Sequence, residues 1–285
     1  MPAKIKLSQQ QIQYILSEYQ KRGTNSIAAE FGCTQKVIKR ILNENSIELR
    51  FPTKIKTLND DYFETIDTEE KAYFLGFMFA DGCVTDGTKR QKRIIISIQS
   101  RDIEILTKFK KAINYSGDIK VRTRPNKPKH HKEMANLDFC SEKMANDLID
   151  KGCVPRKSLI LKAPSFKQVP EHLVKHFIRG VFDGDGSIHS SIVRPNYESF
   201  IFEIVGTKSI CDYANFHIAK ALNTPLKSLI KRKNIFMYPV GGNAQIKHLY
   251  NWLYSDSTIW LQRKKNKFKT LFLVPNSTKV VLPFD

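Results

Sequence analysis

Asp81 and Asp185 are the residues of this chain whose type and setting suit them best to chemistry. Each closes an apolar run and precedes a glycine: Phe74-Leu75-Gly76-Phe77-Met78-Phe79-Ala80-Asp81-Gly82, and Ile178-Arg179-Gly180-Val181-Phe182-Asp183-Gly184-Asp185-Gly186. A negative charge in the last turn of a helix is disfavoured by roughly 0.3–1 kcal/mol. Close packing of a second helix adds a desolvation cost unless a cation neutralises the charge. Carboxylate oxygens so placed suit a divalent metal. A single Asp-Gly is an ordinary turn. Its repetition together with the small residues behind it sets this pair apart.

The elements that must carry these acids are two helices. The first is expected to open at Thr68, a good N-cap, with Glu69 and Glu70 in its first turn. The second should open around Pro170-Glu171, proline being suited to the first helical position. Both should stop at glycine, Gly82 and Gly186, in a left-handed C-terminal position. Gly76 and Ala80, like Gly180 and Gly184, lie four residues apart and so share one helix face. Bare faces of this kind let two helix backbones approach closely. Each apolar run is far shorter than the roughly 20 residues that span a bilayer.

These residues resemble the two motifs of the LAGLIDADG homing endonucleases in their single-chain form, over the stretch from Thr68 to the C-terminus. One departure is Phe79, which stands where that family's motif carries an aspartate, as Asp183 does in the second copy. The resemblance implies an α+β fold: two pseudo-symmetric αββαββα halves packed through the motif helices, with Gly76, Ala80, Gly180 and Gly184 at the interface. It implies that Asp81 and Asp185 hold Mg²⁺ (or Mn²⁺), with backbone oxygens at Ala80 and Gly184 as further ligands. The implied substrate is double-stranded DNA, cut once on each strand across the minor groove to leave short 3′ overhangs. A second matched pair supports the duplication: Arg156-Lys157 and Arg263-Lys264 follow the two aspartates at similar spacing. In similar enzymes a lysine here borders the water network around the metals, which makes Lys157 and Lys264 candidate catalytic residues.

Charge points the same way. Forty-seven basic against 28 acidic residues give a net charge of +19, an excess that calls for a polyanionic partner, nucleic acid first. Residues 85–132 hold 14 Lys/Arg and four acids, and residues 213–255 hold six Lys/Arg and no acid. Both stretches follow a motif, so their strands are candidate DNA readers: Lys92, Arg93, Gln99, Arg122 and Arg124 in the first, Lys231, Arg232 and Lys233 in the second. Lys and Arg suit guanine, and Gln99 suits adenine.

Ahead of the motifs, residues 1–50 form a separate small all-α unit that resembles a helix-turn-helix. Ala28 lies on its first helix, Gly32 at the turn, Ile38 packs back from the second helix, and Thr34 is the N-cap. Gln35, Lys36, Lys39 and Arg40 would face a major groove. Residues 51–67 read as a basic linker, residues 68–165 as the first half and 166–285 as the second.

Within the halves the expected elements run in the same order. In the first they are a strand at 93–99, a helix at 102–113, strands at 119–124 and 135–140 and a helix at 142–151. In the second they are a strand at 200–205, a helix at 209–222, strands at 228–233 and 235–240 and a helix at 244–254. His172 and His176 lack the glutamate of a metal-binding H-E-x-x-H pattern and are expected on the solvent face of the second motif helix. Five cysteines without a C-x-x-C pair, and no signal or membrane-spanning run, suggest a reduced intracellular protein with no membrane partner. A monomer with internal pseudo-twofold symmetry is expected. The competing readings are a DNA-binding regulator without catalysis and an RNA maturase on the same scaffold. An intein is disfavoured because the chain ends Leu282-Pro283-Phe284-Asp285 without a His-Asn pair.

Overall fold

Three short helices, α1 (Gln9–Tyr19), α2 (Thr24–Glu30) and α3 (Gln35–Glu44), make the first of two units, which divide between Ile55 and Lys56. The computed structural model describes residues 7–19, 21–49, 56–87, 91–122, 132–195 and 197–273. Arg124, residues 51–55 of the expected linker and the C-terminal residues 282–285 lie outside the described residues, while the rest of that linker belongs to the second unit and buries Tyr62, Phe63 and Ile66 in its core. Ile15, Tyr19, Ile27, Ala28, Ile38, Ile41 and Leu42 form the core of the first unit. Gly32 turns the chain at φ +57°, where a side chain would be strained. Thr34 takes the extended conformation of an N-cap, but its hydroxyl makes no capping bond.

In the second unit each half begins with a motif helix. The first half runs α4 (Glu69–Ala80), β1 (Gly82–Val84), β2 (Arg93–Gln99), α5 (Ile103–Ala112), β3 (Lys120–Arg122), β4 (Met134–Cys140) and α6 (Glu142–Asp150). The second runs α7 (Val174–Asp185), β5 (Gly186–Arg194), β6 (Tyr197–Gly206), α8 (Lys208–Leu222), β7 (Ile230–Arg232), β8 (Ile235–Gly241), α9 (Asn243–Tyr254) and α10 (Gln262–Leu273). Two antiparallel four-stranded sheets result, with strand orders β1-β2-β4-β3 and β5-β6-β8-β7. The same order in both sheets makes the duplication a structural fact.

Alternation explains how the sheets sit. Ile94, Ile96 and Ile98 of β2 and Ala135, Leu137 and Phe139 of β4 are buried against helices, so Arg93, Ile95, Ser97 and Gln99 take the opposite, open face. In the second sheet Phe200, Phe202 and Ile204 of β6 and Tyr238 and Val240 of β8 are buried, leaving Ile201, Glu203, Val205 and Met237 on the open face. Strands β1 and β5, absent from the sequence reading, follow the motif helices with no intervening loop.

That direct junction corrects the expected left-handed glycines. Gly82 and Gly186 do not have positive φ. A β-carbon at Gly82 would lie 2.7 Å from the Met78 carbonyl oxygen, and one at Gly186 2.7 Å from that of Phe182. Glycine is needed there because the emerging strand brushes its own helix.

Thr68 caps α4 by accepting the Lys71 N–H at 3.3 Å. The second motif helix starts later than expected, at Val174, after a 3-10 turn over Glu171–Leu173. All five cysteines are free, and no described helix is long and apolar enough to cross a membrane.

Candidate active site

The motif helices cross where their side chains vanish. A β-carbon on Gly76 would sit 2.0 Å from the carbonyl oxygen of Phe177, and one on Gly180 2.0 Å from that of Tyr73. Tyr73 precedes Gly76 by three residues, as Phe177 precedes Gly180, so the crossing obeys a pseudo-twofold axis. Further along, a β-carbon on Gly184 would lie 2.2 Å from Ala80 Cβ and 3.3 Å from Asp81 Oδ2. The four small residues expected at the interface do make the close approach, and they bring the two acidic helix ends together.

Asp81 is half-buried and Asp185 exposed. Burial, then the charge of Asp185, pushes the Asp81 carboxyl up to about 6, against the pull of Lys264 and Lys157. Asp185 presents more surface to solvent, yet the protein packed around it still raises its pKa, opposed by the same two lysines. Neither carboxylate has a hydrogen-bond or ion-pair partner among the described residues. Two acids thus share one neighbourhood with their oxygens uncommitted.

The lysines at matched spacing sit just behind them. Lys157, buried, donates to the carbonyls of Phe79 and of Ala80 (2.9 Å). Lys264, also buried, donates to those of Phe182, Gly184 (3.3 Å) and Gly186 (2.8 Å). Each therefore puts a cation on the negative end of a motif helix, which offsets the placement of the acids there. Burial, outweighing the nearby carboxylates, pushes Lys264 down to about 8. The carbonyls of Ala80 and Gly184 are engaged by these ammonium groups, and each keeps a second lone pair.

The preceding arginines diverge. Arg263 grips Asp102 through Nε (3.1 Å to Oδ1) and Nη2 (2.9 Å to Oδ2), tying α10 to the corner between β2 and α5. Arg156 meets Asp86 at 3.1 Å on the surface. Asp81, Asp102 and Arg263 line a cleft of about 220 Å³ together with Ser97, Gln99 and Gly184, so the open face of the first sheet leads directly to the acid.

Asp183 and Phe79, the odd pair of the two motifs, occupy equivalent positions with different partners. Asp183 is buried and accepts from the Tyr73 hydroxyl and the Leu261 N–H, both at 2.7 Å. Its other oxygen has no partner, and burial raises its pKa. Phe79 instead packs edge-on against Phe177, with ring centroids 5.0 Å apart.

His176 corrects the sequence reading. It is buried, within 2.8 Å of Arg179 Nη1, and burial followed by the Arg179 charge pushes it down to about 4. Arg179, fully buried, donates to the carbonyls of Ile259 (3.0 Å) and Leu253 (2.7 Å) and to Glu69 (2.6 Å). His172 is exposed on the 3-10 turn that precedes α7.

The expected DNA contacts scatter. Arg93 lies on the open face but forks onto Asp138. Lys92 is held by Glu142 and Asn146 of α6, on the helix side. Gln99 lines the cleft, Arg122 and Arg232 lie at the outer edges of the two open faces, and Lys231 shares the other face with Phe236. Lys233 occupies the turn into β8 at φ +51°. In the first unit Lys36, Lys39 and Arg40 are exposed along α3, while Gln35 donates to Thr24 Oγ1 at 2.8 Å. The pairings of Asp102 with Arg263 and of Arg179 with Glu69 were missed by sequence reasoning, because nothing local marks a partner more than a hundred residues away.

No protein-family profile matches the chain, and no curated protein matches it. Among solved structures it is similar to the I-LtrWI LAGLIDADG homing endonuclease bound to target DNA, at 14% identity, 76% of this chain, 90% of that chain and a TM-score of 0.48. It is also similar to the LAGLIDADG homing endonuclease I-GzeII in complex with a DNA target, at 12% identity, 70% and 88% coverage and a TM-score of 0.48. A third is the meganuclease I-SmaMI bound to uncleavable DNA with a TTCT central four, at 13% identity, 72% and 90% coverage and a TM-score of 0.47.

Proposed function

We propose that this chain is a site-specific DNA endonuclease of the LAGLIDADG homing type, cutting both strands of a duplex. The observation that carries the reading is the pair of uncommitted carboxylates, Asp81 and Asp185, at the adjoining ends of helices crossed through Gly76 and Gly180. The donor set fits a hard divalent cation: carboxylate oxygens without competing partners, whose pKa values are raised chiefly by burial. Mg²⁺ or Mn²⁺ held there would supply Lewis-acid polarisation of a phosphodiester and a more acidic water.

The chain's own residues do the rest. Asp81 and Asp185 would hold the cations, and each stands in the half that faces one scissile phosphate. Lys157 and Lys264 fix the helix ends and balance charge behind the acids. Antiparallel strands present their phosphates in a twofold relation, which two pseudo-symmetric acids match. The cut falls across the minor groove and leaves short 3′ overhangs, while the open sheet faces lie along the flanking major grooves. Lys36, Lys39 and Arg40 of the first unit add contacts to the same duplex, and the protein acts as a monomer.

Selecting cleaved products from a randomised duplex library with Mg²⁺ tests this. A discrete site cut on both strands with 3′ overhangs is expected. A discrete site that is bound yet left intact would establish the regulator reading instead.

A further inference from the structure

The two open sheet faces are equivalent in position, and over β2, β4 and β3 against β6, β8 and β7 they differ in chemistry. Gly82 and Gly186, which follow the two acids, pair with Ile96 and Ile204, and this fixes the correspondence strand by strand. In the first sheet one cross-strand row is Ser97, Asn136 and Lys120. The same row in the second sheet is Val205, Met237 and Ile230. Each polar residue has an apolar counterpart.

Neighbouring positions follow suit. Asp138 corresponds to Pro239 and Arg93 to Ile201. The polarity reverses at the centre, where Ile95 and its β1 partner Cys83 in the first sheet stand against Glu203 and its β5 partner Ser187 in the second. Glu203 accepts from Ser187 Oγ at 3.1 Å and lies 3.9 Å from His189 Nδ1, with no Lys or Arg paired to it among the described residues. Arg122 and Arg232 are both arginine, so a cation still marks the outer edge of each face.

We infer that the second sheet reads a thymine-rich half-site with a cytosine opposite Glu203, while the first reads a half-site through polar and charged contacts. The inference rests on the DNA-cleaving reading and adds what that DNA must be. Thymine is the one base that offers a methyl group in the major groove, which apolar side chains contact. A carboxylate facing phosphates is repelled, but it accepts well from the cytosine amino group. The first sheet's open face leads directly into the acid's cleft, and the second occupies the equivalent place beside Asp185. Duplex DNA is thus the occupant, continuous with the catalytic surface and edged by Arg232.

The full-length protein and a site selected from a randomised duplex library provide the test, with Ca²⁺ in place of Mg²⁺ to measure affinity without cutting. Replacing single thymines with uracil removes only the methyl group. Each thymine on the Val205–Met237–Ile230 row should then cost about threefold to fourfold in affinity, in one half-site only. Val205→Ser with Met237→Asn, which imports two of the first half's residues, should erase that sensitivity at the thymines these two positions face. The near-isosteric Glu203→Gln should change one selected base pair from C·G to A·T, as glutamine prefers adenine.

Equal uracil effects in the two half-sites, or none, overturn the inference while leaving the endonuclease intact. So does a wild-type dimer in solution that Val205→Ser/Met237→Asn dissociates, because the face would then belong to a second copy. If no duplex is selected at all, the endonuclease reading fails and takes this inference with it.

Discussion

The backbone of Gly76 passes so close to that of Phe177 that a methyl group on it would stand 2.0 Å from the Phe177 carbonyl oxygen. Gly76→Ala must therefore push α4 and α7 apart or distort them. Overpacking of this kind costs about 1–3 kcal/mol or more, and it would displace the two acids relative to each other. Thermal unfolding and cleavage should both suffer in Gly76→Ala and in Gly180→Ala. Gly206→Ala, whose new methyl would meet nothing nearer than 3.5 Å, is the control and should leave both unchanged.

Removing one acid should separate the strands. Asp81→Asn or Asp185→Asn is expected to bind the selected duplex as tightly as the native protein, while producing nicks or no cut. Supercoiled plasmid carrying one site distinguishes nicked from linear product. Full linearisation by Asp81→Asn would remove that residue from the mechanism.

Stability should depend on pH through Asp81. An unfolded aspartate titrates near 3.9, whereas folding holds Asp81 at about 6. Between these values the native state binds more protons, so this residue's contribution to stability falls as pH rises through the window. His176, held down at about 4 in the native state, acts in the opposite sense over pH 4 to 6.5, so the total curve mixes the two. The difference between Asp81→Asn and native protein isolates the carboxylate. Without divalent cation the variant should gain stability from pH 4 to 7, by at most about 3 kcal/mol. Added Mg²⁺ should raise the native Tm more at pH 7 than at pH 4.5 and shrink that gap.

Lys264→Met should destabilise the fold by about 1–3 kcal/mol, since buried carbonyls at the end of α7 lose their donor. Denaturant unfolding of the cation-free protein reads this directly, apart from any effect on cutting.

A double-mutant cycle between Tyr73→Phe and Asp183→Asn should show coupling of about 0.5–3 kcal/mol in unfolding free energy. The hydroxyl and carboxylate meet at 2.7 Å with both groups buried. Additive single effects would mean that the bond contributes nothing.

Much of this site was legible from local pattern. Asp81 and Asp185, the small-residue faces and the alternation of Arg93–Gln99 are all carried by neighbours in sequence. The spacing of Lys157 and Lys264 picked out two residues that the structure places behind the acids, with their ammonium groups on helix carbonyls. What escaped depends on distant partners. Gly82-Cys83-Val84 is too short to declare a strand, and Gly186–Arg194 is rich in serine; both become strands by pairing with β2 and β6. Burial of His176 requires Arg179 and Glu69 to meet, and Lys92 turns inward because Glu142 waits on α6. Glycine after aspartate resembles a left-handed cap in sequence, and only the contact with Met78 or Phe182 shows its different purpose.

The unequal partners of Asp183 and Phe79 forbid an exchange of halves. Two copies of the first half would set each Tyr73 hydroxyl against a phenylalanine ring. Two copies of the second would set each buried Asp183 against Phe177, with no hydroxyl to receive. Only the mixed pair satisfies both sites, so each half has lost the ability to recognise itself. Joining them in one chain guarantees the correct partner in every molecule, and it leaves the two sheets free to differ from each other.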